Sequence, residues 1–184
     1  MKVGMSAVTS ALRAGLLALL MATGGGALAA SAHIDAAVPQ ARLAGSGLFT
    51  YFGLKIYTAE LFVGPRGYVP GAPFALELRY ERNLKGKKIA EASAEQMEKI
   101  GAGSEAQRQA WLAKMTAIFP DVAEGNRITG VALADGASRF YLDGVQIGAI
   151  DDPAFTRAFF GIWLDPATTA PALRKALLRQ AAPQ

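Results

Sequence analysis

The sequence has no cysteine and a single histidine, His33, among its 184 residues. Without cysteine there is no disulfide, thiolate nucleophile, iron–sulfur cluster or cysteine zinc site, and a solitary histidine cannot supply a multi-histidine metal centre. Charge is also sparse, at 18% of residues, with 19 basic against 15 acidic side chains. Two of the cations, Lys2 and Arg13, sit in an N-terminal stretch expected to be removed, which leaves 17 − 15 = +2 on the rest. That balance does not describe a polybasic nucleic-acid binder. Phosphate-cradling loops are missing as well. Gly45-Ser46-Gly47 and Gly101-Ala102-Gly103-Ser104 have no P-loop lysine and no βαβ setting, so they read as a strand bulge and a helix linker. No carboxylate pair is placed for acid–base work, since Asp151-Asp152 reads first as a helix cap. Catalytic residues are therefore unassigned, and neither a metal nor a cofactor is expected.

What is present begins with a targeting pattern. Residues 1–32 contain no acid, place Lys2 and Arg13 ahead of the apolar run Gly15–Ala22, and end in the small-residue stretches Ala27-Leu28-Ala29 and Ala30-Ser31-Ala32. This is the layout of a secretory signal peptide. The run is far shorter than the roughly 20 residues a membrane span needs. The expectation is a signal peptide at 1–29 and a periplasmic or secreted protein with no transmembrane segment after cleavage. Residues 30–42 show no sustained period and read as an N-terminal arm; His33 lies in it, and chain termini are usually poorly ordered.

The rest patterns clearly. Leu43–Val63 is rich in aromatic and β-branched residues broken at Gly53, which gives two strands. In the second, Tyr57, Ala59, Leu61 and Val63 share one face and Ile56, Thr58, Glu60 and Phe62 the other, so both faces are candidates for cover. Phe74–Glu81 alternates Phe74, Leu76, Leu78 and Tyr80 against Ala75, Glu77, Arg79 and Glu81, an antiparallel strand with one buried face. Ile89, Ser93, Met97 and Ile100 fall at helical spacing up to Gly101. Ser104 and Gln107 form a capping box for a second helix with Trp111, Leu112, Met115, Ile118 and Phe119 on its apolar stripe. Asp135-Gly136 and Asp143-Gly144 then mark hairpins between three short strands. Asp152-Pro153 opens a helix with a dense apolar face, and Pro171 opens a last one. Strands and helices clustered separately in one domain, 43–180, argue an α+β fold with an antiparallel sheet.

Two groups of polar side chains are candidates for ligand contact. Lys85-Gly86-Lys87-Lys88 places three cations at a helix start, where an anion would offset their conflict with the dipole. Tyr51, Tyr57, Tyr80, Arg79 and Arg82 lie near the sheet, where a hydroxyl or guanidinium can anchor the polar end of an otherwise apolar molecule.

The order and spacing of several segments together resemble the chalcone isomerase-like family in its exported bacterial branch. They are Gly45–Val63 (GSGLFTYFGLKIYTAELFV), Leu78–Gly86 (LRYERNLKG), Phe140–Gly144 (FYLDG), Ile147-Gly148 and Phe155–Leu164 (FTRAFFGIWL). The resemblance implies an open-faced antiparallel β-sheet backed by a layer of helices, with a ligand cleft between the layers. Plant members that cyclise chalcones carry a catalytic arginine that falls here on Phe49. Their strand threonine falls on Tyr57, and the tyrosine, lysine and asparagine of their first helix on Ile89, Ala92 and Gln96. A hydroxyl of their later helix corresponds to Thr156. Loss of the arginine, tyrosine and lysine removes the groups that would stabilise a phenolate or enolate. Other members of the fold resemble fatty-acid binders without catalysis. The resemblance thus implies a non-catalytic binder of an elongated apolar small molecule with an acidic head group. Its contacts are expected at Tyr57 and Arg79 first, then Tyr51, Tyr80 and Thr156. An intramolecular lyase and a structural or partner-binding periplasmic protein are the alternatives.

Overall fold

The alternating segments pair into one antiparallel sheet whose spatial order is the sequence order. Its strands are β1 (Arg42–Tyr51), β2 (Leu54–Val63), β3 (Phe74–Tyr80), β4 (Arg127–Ala132), β5 (Ser138–Leu142) and β6 (Val145–Ile150). The computed structural model describes residues 31–183, so the expected signal segment lies outside the described residues. Helices α2 (Gly86–Lys99) and α3 (Glu105–Ile118) occupy the link from β3 to β4, while α4 (Pro153–Leu164) and α5 (Pro171–Leu177) follow β6. A short α1 (Ala32–Ala37) precedes β1. No helix among the described residues is long and apolar enough to cross a membrane.

Helices α2 to α5 cover one face of the sheet. The inward residues of β2 and β3, among them Ala59, Leu61, Leu76 and Leu78, meet Met97 of α2, Met115 of α3 and the aromatic side of α4. Helix α4 is buried at Phe155, Thr156, Ala158, Phe159, Phe160, Ile162, Trp163 and Leu164, so it is the central helix of the layer rather than an amphipathic cover. Its rings pack edge to face with the sheet and with one another: between centroids, Phe159 stands 5.2 Å from Phe140 of β5 and 5.5 Å from Trp163 of its own helix. Each such ring contributes about 1.5–3 kcal/mol by burial alone. The start of α4 is fixed by Asp152, whose Oδ1 accepts from the N–H groups of Ala154 and Phe155. Its other oxygen accepts from Trp111 Nε1 at 2.9 Å, so one cap also ties α3 to α4.

The expected capping box is present, with Ser104 and Gln107 exchanging bonds at the start of α3. The Gly45-Ser46-Gly47 stretch follows a register shift in β1, and a side chain at Gly45 would lie 2.1 Å from the Ala176 carbonyl oxygen. Glycine is what lets α5 pack directly on the strand. At Lys85–Lys88 the anion is the protein's own: Asp121 accepts from Lys85 Nζ at 2.6 Å and from the Gly86 N–H at 3.0 Å. Lys87 and Lys88 pair with Glu91.

Two expectations are corrected on the other face. Residues 32–37 are a helix, not an arm, and Ile34 and Val38 are completely buried against Phe62, Ala75 and Val131. A helix of six residues is too short to show a period, and only the i, i+4 spacing of Ile34 and Val38 hints at it. Because α1 lies there, β3 is also not one-faced: Ala75 is buried and Glu77 is 2% exposed.

Candidate functional site

Between the sheet and α2 the apolar layer is incomplete. A strip of α2 formed by Lys88, Ile89, Ala92, Ser93, Gln96 and Lys99 faces the sheet across a cleft of about 400 Å³. Ala92 and Ser93 are too short to reach the strands, so the space under them stays open. Lys88 and Lys99 are eleven residues apart, close to three full turns, which puts them on one side of the helix about 16 Å from each other. The floor is Phe49 of β1, Ile56 and Tyr57 of β2, Leu78 and Tyr80 of β3, and Ile128 of β4. Phe159, Ile162 and Trp163 of α4 close the back, while Tyr51 and Thr169 stand at the edge. The volume lies within the range of small-molecule sites, and the lining is mostly apolar with a few convergent polar groups.

Those polar groups are two tyrosines. Tyr57 Oη accepts from Trp163 Nε1 at 2.9 Å, which leaves its own proton free. Neither that proton nor the Tyr80 hydroxyl has a hydrogen-bond partner among the described residues. The two rings meet edge to face at 6.1 Å, and Phe49 stacks on Tyr57 at 5.0 Å. Burial pushes both phenols well above the ordinary tyrosine value, each as its leading cause. Both are therefore neutral donors at any physiological pH, and the floor of the cleft carries no cation. The cations are at its margins, where Lys88 pairs with Glu91 and Lys99 with Glu95 at 2.7 Å. Gln96 is held at the edge by a 2.6 Å bond from Thr169 Oγ1, which ties α2 to the loop before α5.

The sequence matches the family described as chalcone isomerase-like over residues 23–179. The chain belongs to this family. It is 30% identical over 135 residues to an uncharacterized protein of Haemophilus influenzae, covering 73% of this chain and 66% of that one. The match thus spans just under two thirds of that relative's length. Among solved structures it resembles a fatty-acid binding protein of Arabidopsis thaliana, with a TM-score of 0.63, 13% identity, and coverage of 79% of this chain and 91% of that one. At that identity the likeness shows the fold: the open antiparallel sheet with its helix layer.

Of the six positions that the resemblance matched to the plant enzymes, five converge and Thr156 does not. Phe49, Tyr57, Ile89, Ala92 and Gln96 all line the one cleft. Three of these five, Phe49, Ile89 and Ala92, are apolar. Of the five expected contacts, Tyr51, Tyr57 and Tyr80 are brought together there. Two others are not. Arg79 points to the opposite face and pairs with Glu81 at 3.0 Å, as its place in the alternation beside Glu77 and Glu81 requires. Thr156 is buried at the start of α4, donating to the Gly136 carbonyl at 2.6 Å and contacting Ser138 Oγ at 2.6 Å, outside the cleft. Arg82 is not among the cleft-lining residues either. Sequence reasoning missed Trp163 as the partner of Tyr57 and Lys99 as a rim cation. The signal for the second was available in the i, i+11 spacing from Lys88 along a strip that also carries two small residues.

Proposed function

We propose that this protein is an exported, non-catalytic binder of one elongated, mostly apolar small molecule with an acidic head group, such as a fatty acid. The observation that carries the reading is the cleft itself: an apolar trough under α2 with two neutral phenol donors on its floor and lysines at its margins. The apolar body of the ligand lies under Ala92 and Ser93, where its burial supplies the driving force at about 25 cal/mol per Å². Tyr57 and Tyr80 donate to an oxygen of the ligand, and an acidic head group at the margin competes with Glu91 and Glu95 for Lys88 and Lys99. The fold neighbour being a fatty-acid binding protein supports this reading. So does Phe49, because catalysis of the chalcone isomerase type calls for a cation to stabilise developing negative charge, and a phenyl ring cannot supply it. The acid-free, apolar character of residues 1–32 supports export.

Native mass spectrometry of protein purified without detergent tests the binding. A discrete added mass, lost on delipidation and restored by adding a fatty acid, is the expected result. Absence of any adduct, together with no heat on titrating fatty acids of several lengths, removes the reading in favour of a structural or partner-binding role. Turnover in a chalcone absorbance assay would instead establish the lyase alternative. Intact-mass measurement on exported material is expected to show loss of about the first 29 residues.

A further inference from the structure

The β1–β2 hairpin turns at Phe52 and Gly53, with φ of +47° and +76°. The β5–β6 hairpin has the same geometry at Asp143 and Gly144, with φ of +48° and +86°. Left-handed backbone at both central positions favours Asn-Gly or Asp-Gly and disfavours a bulky residue. In the second hairpin the aspartate has a use: its carboxylate accepts from the Arg127 N–H and from the Asn126 amide, each at 2.8 Å. Phe52 has none of that. Its ring is 86% exposed, touches Tyr51 edge to face at 4.5 Å, and stands beside Leu54, itself 52% exposed. A phenylalanine here is unfavourable both for the backbone and for hydration, and nothing within the fold offsets either.

The tip is also the edge of the cleft. Tyr51, which carries the Phe52 contact, lines the opening together with Lys99. Lys55 follows one residue after Leu54, exposed and without an ion pair among the described residues. We infer that this hairpin is a membrane-docking tip: Phe52 and Leu54 enter the interfacial layer of a lipid bilayer, Lys55 faces anionic headgroups, and the cleft opens at the membrane surface. An exposed aromatic and aliphatic tip beside an unpaired lysine is the composition that settles at a bilayer interface. A second copy of the chain fits less well, because three side chains at a turn fall far short of the ~800 Å² per partner of a stable interface. The consequence for loading rests on the binder reading; docking itself does not. An apolar ligand resides in the bilayer rather than in water, and a cleft held against the membrane receives it without an aqueous passage.

Flotation with vesicles tests the docking, using the full chain as recovered from cells, F52N and K55Q. Asn-Gly is the preferred pair for this turn, so F52N is expected to unfold at the same or a higher temperature than the parent. Its partitioning onto phosphatidylethanolamine–phosphatidylglycerol vesicles is expected to fall by about tenfold or more. K55Q weakens binding to those vesicles and leaves binding to phosphatidylcholine vesicles unchanged. Any N-terminal apolar segment is common to all three proteins and cancels in the comparison. Equal flotation of F52N and parent overturns the inference, as does a parent that does not float. A concentration-dependent dimer that F52N abolishes overturns it in favour of self-association. Transfer of a fluorescent fatty acid from vesicles is expected to slow in F52N with its affinity in solution unchanged. If neither protein binds the fatty acid in solution while the parent still floats, the binder reading fails and the docking stands.

Discussion

The two faces of the sheet are finished in opposite ways. Toward α2–α5 the strands present an apolar layer that is left unfilled over one stretch, where the Tyr57 proton and the Tyr80 hydroxyl have no partner among the described residues. Toward α1 a smaller apolar patch surrounds a polar chain that runs from His33 through Thr129 to Glu77 and Arg127. Glu77, nearly inaccessible, accepts from Thr129 Oγ1 at 2.9 Å and from the Arg127 guanidinium. His33 Nε2 lies 3.0 Å from that same Thr129 oxygen, and its ring packs on Tyr141 at 4.7 Å. Because the Thr129 proton goes to Glu77, His33 must be the donor, which fixes its neutral tautomer with hydrogen on Nε2. A buried network that is fully satisfied specifies one packing, whereas a buried polar pair left open is a place for something else. The α1 face is built for stability of position, the α2–α5 face for occupancy.

Breaking the satisfied face should have the largest effect. Arg127→Met leaves a buried carboxylate with one neutral donor, and the expected loss is about 3 kcal/mol of unfolding free energy, at the low end for a broken buried pair because Arg127 itself is partly exposed. Urea unfolding followed by circular dichroism measures it. The double variant E77L/R127M is expected to recover part of the loss, since a well-packed apolar replacement removes the stranded charge. Affinity for the cleft ligand should be unchanged in both.

Filling the open face should do the reverse. Ala92→Phe places a ring in the trough, so fatty-acid affinity is expected to fall by tenfold or more, about 1.4 kcal/mol, while thermal stability holds or rises. A fall in stability equal to that of an overpacked core, about 1–3 kcal/mol, would mean that the space under α2 is closed in solution. Tyr57→Phe is milder. It removes one donor and keeps the ring, at an expected cost of about 0.5–1.5 kcal/mol of binding, read by calorimetry beside Arg79→Gln. The arginine variant should bind as the parent does, because its side chain lies on the far face.

Most of this division could be read along the strands. Alternation in β2 and β3 put Tyr57 and Tyr80 on one side and Thr58, Glu77 and Arg79 on the other, and those faces are as the alternation assigns them; Ile56 departs from it, lining the cleft beside Tyr57 at the register shift of β1 and β2. Arg79 was drawn toward the ligand by its chemistry against its own register, and register wins because a strand cannot turn one side chain through the sheet. Thr156 shows a different limit. A helix buried on nearly all sides has no face that sequence can assign to a cleft, and its hydroxyl is used to satisfy a nearby carbonyl instead. The cleft could not be read as a volume, since it depends on how far α2 stands from the strands, although Ala92 and Ser93 on the strip facing them mark where it lies. Helix α1 escaped because its hold on the fold is tertiary: two apolar side chains and one long-range hydrogen bond.

That hydrogen bond gives the smallest and most specific effect. Burial disfavours the charged imidazole of His33 and lowers its pKa below the usual histidine value, with attraction to Glu77 opposing in part. A lowered folded-state pKa means that the unfolded chain binds the extra proton more readily, so stability rises with pH between the folded value and about 6.5. Acidification through that window therefore weakens the docking of α1 and leaves the cleft face alone. Protonation adds hydrogen at Nδ1 and keeps the Nε2 bond to Thr129, so the penalty is desolvation of charge rather than a lost contact. Comparison of melting temperatures at pH 7.5 and pH 5 should show the parent losing more than His33→Gln on acidification, with amide exchange quickening in residues 32–38. An equal pH dependence in the two proteins would assign the acid sensitivity to the carboxylates, and the chain from His33 to Glu77 would then be a static brace rather than one that loosens with acid.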